Sequence, residues 1–112
     1  MKIAVPTADG KLCMHFGHCE MFTLIDVNTE SKKIESVVSI EPPPHEPGLL
    51  PKWLGEKGVT CVIAGGMGGR AVGLFEEQDI KVITGAQPGT PEEIVADFLE
   101  NRLVTGANAC DH

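Results

Sequence analysis

Short apolar runs separated by turn-forming segments extend along the whole chain, and their spacing changes midway. Lys2–Val5 (KIAV) reads as a short strand closed by Pro6, because proline cannot donate to a ladder. Met21–Val27 (MFTLIDV) is rich in residues that suit a pleated surface and predicts a second strand. Ile34–Ile40 (IESVVSI) predicts a third, with Ile34, Ser36, Val38 and Ile40 on one face. The polar stretch Asn28–Lys32 between them predicts an antiparallel hairpin. Glu41–Gly48 (EPPPHEPG) then interrupts the pattern with four of the eight prolines and reads as an extended or flexible loop.

Beyond that loop, helical and extended patterns alternate. The order is a short helix with Pro51 in its first turn, a strand Thr60–Ala64, a helix near Gly69–Gln78, a strand Ile80–Thr84 and a helix near Pro91–Arg102. The last helix carries its own start signal. Thr90 can cap it, Pro91 suits its first position and Glu93 completes a capping box. Ile94, Val95, Phe98 and Leu99 then share one face. A β-meander followed by β–α–β–α predicts an α/β fold, with a mixed sheet and helices over its faces. One core suits 112 residues, so residues 1–112 are expected to form a single domain, with 105–112 as a tail able to be flexible.

Charge narrows the partners. Nine basic against 16 acidic residues give a net charge of −7, which argues against nucleic acid. No apolar stretch approaches the ~20 residues that span a bilayer, so no membrane role is expected. The apolar run after Lys2 stops at Pro6, unlike an export signal, and a cytoplasmic location is expected. Reduced thiols are then the natural state of Cys13, Cys19, Cys61 and Cys110. Cys61 lies within the apolar run Val59–Ala64 and reads as a small buried hydrophobe.

The other cysteines sit beside histidines. Cys13-Met14-His15-Phe16-Gly17-His18-Cys19 places two thiols and two imidazoles within seven residues. Such donors suit zinc, copper(I) or iron–sulfur species. Cys13, His15, His18 and Cys19 are the first candidate ligands. Cys110-Asp111-His112 supplies Cys110 and His112 as a second pair on a tail that could fold over a site as a lid. His45 among the prolines is a weaker candidate, and Asp9 and Asp26 suit ordinary turn and surface roles better than ligation.

Gly65-Gly66-Met67-Gly68-Gly69-Arg70 follows a strand and precedes a helix. Backbone N–H groups there can face an anion at the helix N-terminus, with Arg70 adding charge. The Lys-Ser/Thr of a P-loop is missing and the GxGxxG spacing is not met, so an anionic metal–sulfur cluster fits better than a nucleotide. The glycines could equally serve only to make a tight strand-to-helix turn. No Cys-x-x-Cys pair, nucleophile motif or distinguished carboxylate pair stands out, so the chain is not expected to be an enzyme.

These motifs carry a resemblance. MKIAVPT at the start, HFGHCEMFTLIDV, VTCVIAGGMGGRAVGLFEEQDIKVITG and the helix near the end resemble the dinitrogenase iron–molybdenum cofactor biosynthesis family, the small domains similar to NifX and the C-terminal part of NifB. The resemblance implies a ribonuclease-H-like three-layer fold with a five-stranded mixed sheet. It implies binding or carriage of iron–molybdenum or other molybdenum–sulfur clusters, and cofactor-assembly or acceptor proteins as partners. By position His15 and Gly17 match the family's first-loop motif, and Gly65, Gly66, Gly68 and Gly69 match its glycine turn. Cys13, His18, Cys19 and the tail look like additions.

Three function classes remain. The first is a cluster carrier in cofactor assembly or delivery. The second is a mononuclear zinc, nickel, copper or iron domain for storage or sensing, and the third a metal-free regulatory domain. A homodimer is compatible with each. If the histidines ligate, metal binding weakens as pH falls below ~6.5, because protonated imidazole cannot coordinate. A titration of bound metal against pH checks this, and affinity unchanged into strong acid would exclude the histidines.

Overall fold

In chain order the elements are β1 (Lys2–Ala8), β2 (Lys11–Leu12), β3 (Met21–Asn28), β4 (Lys33–Ile40), α1 (Leu49–Glu56), β5 (Cys61–Ile63), α2 (Gly69–Glu77), β6 (Lys81–Ile83) and α3 (Pro91–Leu99). They belong to a computed structural model that describes residues 1–13, 20–42, 49–103 and 105.

Ile3, Ala4 and Val5 are completely buried, as the run KIAV demands of a strand covered on both faces. β1 pairs antiparallel with β3, from Lys2 opposite Asp26 to Thr7 opposite Met21. Its other edge pairs parallel with β5, Ile3 opposite Cys61 and Ala4 opposite Val62. β4 extends the antiparallel side and β6 the parallel side, giving the order β4-β3-β1-β5-β6.

Alternation along the strands divides the core. Ala4, Phe22, Leu24 and Val62 face Leu50 and Leu54 of α1 and Phe75 of α2. Ile3, Val5, Ile25, Val27, Cys61 and Ile63 face Ile94 and Val95 of α3. The molecule is therefore three-layered, with one sheet between two helical layers. Phe22 and Trp53 meet edge-to-face with ring centres 5.8 Å apart.

The α/β architecture and the mixed sheet agree with expectation, and four details do not. The sheet has six strands rather than five, because the two-residue β2 pairs with the end of β1. β1 does not stop at Pro6 but runs through it to Ala8. The Pro6 carbonyl accepts from the Cys13 N–H (2.9 Å), so its nitrogen faces the edge where pairing with β5 has ended at Ala4 and no donor is needed. Ile34 and Ile40 lie on opposite faces, Ile34 against the α3-side core and Ile40 against the other. A β-bulge causes this, since the pairs Asp26–Ser36 and Val27–Ile34 leave Glu35 as the extra residue. The last helix ends at Leu99, three residues early, because Asn101 adopts φ 58°.

All three helices finish the same way. The residue one past the cap is left-handed: Gly58 (φ 86°), Asp79 (φ 58°) and Asn101 (φ 58°). In each, the next N–H returns to a carbonyl five residues back, from Val59 to Leu54, Ile80 to Phe75 and Arg102 to Asp97. Thr90 caps the start of α3 by accepting from the Glu93 N–H at 3.3 Å. Among the described residues no helix is long and apolar enough to cross a membrane.

Two glycine substitutions should therefore act with opposite signs. Gly58→Ala meets no steric neighbour but is left-handed, and should cost about 1 kcal/mol. Gly73→Ala, in open space within α2, should add about 0.5–1 kcal/mol. Urea unfolding of both variants checks the pair, and equal signs would contradict the backbone account.

Candidate functional site

Because β1, β5 and β6 are parallel, their carboxyl ends lie along one edge of the sheet. Loops at such ends form the crevice that α/β sheets commonly use for ligands. The chain returns to this edge repeatedly. The N–H of Cys13 donates to Pro6 and the N–H of Glu20 donates to Thr7, both at 2.9 Å. Cys13 and Glu20 are thus held by consecutive residues of β1. Ile40, the last residue of β4, lies opposite Phe22 and brings the start of the proline-rich segment to the same edge.

Cys13 is buried, with 8% of its surface exposed, and Leu12 beside it donates its N–H to the Gly89 carbonyl at 2.8 Å. His15, His18, Cys19, His45, Cys110 and His112 lie outside the described residues. Their described flanks are informative nonetheless. Thr105, just before the tail, forms a β-bridge with Ala86 at the end of β6. The tail therefore departs from the edge at which the Cys13–Cys19 segment is rooted. Among the described residues no cluster of three or more His, Cys, Asp or Glu could hold a metal ion.

The glycine turn is described in full. Gly65, Gly66 and Met67 are buried, whereas Gly68, Gly69 and Arg70 are exposed. Met67 belongs to the core cluster with Phe22, Leu54 and Phe75, so its side chain is a core side chain. Gly68 occupies the N-cap position of α2 in an extended conformation (φ −64°, ψ 150°) and has no side chain to accept from the first helical N–H groups. Neither Gly68 nor Gly69 has a positive φ, and a Cβ at either would meet nothing within 4 Å. Backbone geometry and packing therefore do not require glycine at these two positions. What glycine leaves there is bare backbone at the positive end of a helix dipole, beside the exposed Arg70.

A second turn interlocks with the first. Gly85, at φ 80°, donates its N–H to the Gly65 carbonyl at 2.9 Å, and Ala86 donates to Ala64 at 3.2 Å. Residues Ala86–Gly89 are absent from the motifs above, and Gly85 only ends one of them. Their signal is Thr84-Gly85-Ala86-Gln87-Pro88-Gly89 after an apolar run, the composition of a strand-ending turn. A second unanticipated feature is a line of hydroxyls. The buried Thr7 and Thr23 lie 3.5 Å apart, and Thr23 lies 3.4 Å from Ser39.

The remaining candidates have ordinary roles. Asp26 accepts from the Ser36 hydroxyl across the hairpin at 2.9 Å. Asp9 occupies the β1–β2 turn at φ 54° and donates its N–H to Glu20. Cys61 is completely buried beneath α3, as its apolar run predicts. Burial pushes its thiol up to about 11, slightly opposed by Lys81.

A family model described as dinitrogenase iron–molybdenum cofactor matches residues 1–101. An uncharacterised protein of Methanocaldococcus jannaschii is 28% identical over 106 residues, 92% of this chain and 89% of that one. The crystal structure of the protein PH0822 superposes with a TM-score of 0.85 at 28% identity, covering 94% of each chain. A Thermotoga protein provisionally assigned as NifB has a TM-score of 0.70 at 26% identity, covering 93% of this chain and 91% of its own. The apo orange protein of Desulfovibrio gigas shares the fold, with a TM-score of 0.70 at 21% identity over 96% of this chain and 93% of its own.

The Cys61 environment makes a direct prediction. A thiol raised in the folded state keeps its proton while the unfolded chain loses one, so stability falls as pH rises from about 9 towards about 11. The slope should reach about 1.4 kcal/mol per pH unit. Urea unfolding of wild type and Cys61→Ala across this range checks it, with the variant lacking that alkaline loss. Equal slopes would contradict the buried thiol.

Proposed function

The chain belongs to the dinitrogenase iron–molybdenum cofactor family, and we propose that it binds a metal–sulfur cluster of iron–molybdenum type and carries it during cofactor assembly or delivery. The observation that carries this reading is the exposed, uncapped start of α2, where Gly68 and Gly69 offer bare backbone that neither φ nor packing demands. A metal–sulfur cluster is anionic and presents sulfides, which accept hydrogen bonds from such N–H groups. Cys13 at the same edge supplies a soft donor. His15, His18, Cys19, Cys110 and His112 extend the donor set in this proposal, and His45 is a weaker addition.

The chemistry of the edge suits a carrier better than a catalyst. Cluster retention requires donors and a positive field, and release requires that some donors be removable. The tail that follows Thr105 is the natural candidate for removable donors, because Thr105 is held to Ala86 at that rim. The proposal includes an acceptor or assembly protein as partner and a cytoplasmic setting, where thiols stay reduced. It also takes the three-layer arrangement as ribonuclease-H-like, used for binding alone.

Anaerobic loading with molybdenum, iron and sulfide tests the proposal. A visible-absorbing species with metal and inorganic sulfide bound per chain is expected. A protein that stays colourless under all such loadings would overturn the proposal, and one tightly held ion without sulfide would indicate a mononuclear centre instead. Gly69→Glu separates binding from folding. A carboxylate in the first turn of a helix stabilises the helix by about 0.3–1 kcal/mol. The same charge should repel an anionic cluster and weaken retention by roughly tenfold, about 1.4 kcal/mol. Unchanged retention in this variant would place the cluster elsewhere.

A further inference from the structure

We propose that β4 is a self-pairing edge through which two copies of this chain form an antiparallel, two-fold dimer with one continuous sheet. β4 is terminal in the strand order, so one side of its backbone has no strand partner among the described residues. It is eight residues long, whereas the opposite edge, β6, has three and begins with Lys81. Proteins usually protect long edges with charge, proline, bulges or a covering element. Here the protection lies at the two ends, in Lys33 and the bulge at Glu35 and in Glu41 and Pro42 beyond Ile40. Ser36–Ile40 (SVVSI) is left uncharged. Val37 and Val38 are 43% and 52% exposed, one on each face of the sheet, so neither helical layer covers the middle of this strand.

Charge selects both the occupant and the register. With the two-fold axis through Val37, the two Val37 side chains face each other and each Val38 lies across from the partner's Ser36. Each Glu41 then falls at the Lys32–Lys33 end of the other strand, and the ends attract. With the axis through Val38, each Glu41 instead meets the partner's Glu35, and like charges oppose at both ends. A strand with a basic start, an apolar centre and an acidic end is complementary to its own antiparallel copy. That self-complementarity is what an isologous interface requires.

The geometry has a consequence for the rim. Antiparallel pairing turns the carboxyl ends of β1, β5 and β6 in the two copies towards opposite ends of the dimer. Ligands held at one rim are therefore not completed by the other copy, and dimer formation is independent of metal. This conclusion does not rest on the proposed function.

Sedimentation velocity of the full chain, reduced and with chelator present, over a dilution series through the micromolar range tests the proposal. A reversible monomer–dimer equilibrium is expected. Val37→Glu and Val37→Lys should each be monomeric, because like charges then face each other on the axis, and mixing them should restore the dimer. Both substitutions fall at a half-exposed edge position, and circular dichroism confirms that the fold is retained. A wild type that stays monomeric throughout would overturn the proposal. So would a dimer that either single variant leaves unchanged, or a failure of the mixed variants to associate.

Discussion

β1 is hydrogen-bonded on both edges and buried on both faces, antiparallel to one neighbour and parallel to the other. The antiparallel neighbour sends the hairpin away and returns it to the carboxyl end of β1. The parallel neighbour obliges every later β–α connection to leave from that same end. Had β5 paired antiparallel, the glycine turn would lie at the opposite edge from Cys13. The convergence of Cys13, the helix start and Thr105 therefore follows from the direction of one short pairing, Ile3 with Cys61 and Ala4 with Val62.

The edge so formed combines two kinds of physical surface. One is soft and chemical, the thiol of Cys13 beside a segment rich in histidine and cysteine. The other is electrostatic, the uncapped start of α2 with Arg70. A net charge of −7 sets this local positive end against an acidic molecule. In the proposed function, an anionic cargo would be directed to this place by the field and held there by donor chemistry. Bare glycine backbone at Gly68 and Gly69 is consistent with a bulky inorganic group approaching closely, since no described residue occupies that space.

Local chemistry was the readable part of the fold. Thr90, Pro91 and Glu93 announce α3 through capping that depends only on neighbours in sequence, and the Thr90 hydroxyl accepts from Glu93 as expected. β3 and β4 were readable for the same reason, each being long and apolar with a polar turn between. What escaped depends on distant partners. Whether Pro6 ends a strand depends on where β5 stops. Whether Ile34 and Ile40 share a face depends on how β4 registers against Asp26 and Val27. β2 is two residues long and exists because Thr7 and Ala8 are there to pair with it. At the site, the glycine turn and the buried Cys61 were legible as local patterns. The Gly85–Gly89 turn was not, because its importance comes from the hydrogen bond between Gly85 and Gly65, which no local signal announces.

In the proposed function the cargo sits at the carboxyl edge of the parallel strands. Amide nitrogen–proton correlation spectra of the apo protein, and of protein loaded anaerobically with molybdenum, iron and sulfide, test it most directly. The account predicts perturbations concentrated at Cys13, Glu20, Gly65 to Ala71 and Gly85 to Gly89. Perturbations concentrated instead at the opposite edge, around Asn28–Lys33 and Lys57–Thr60, would contradict it.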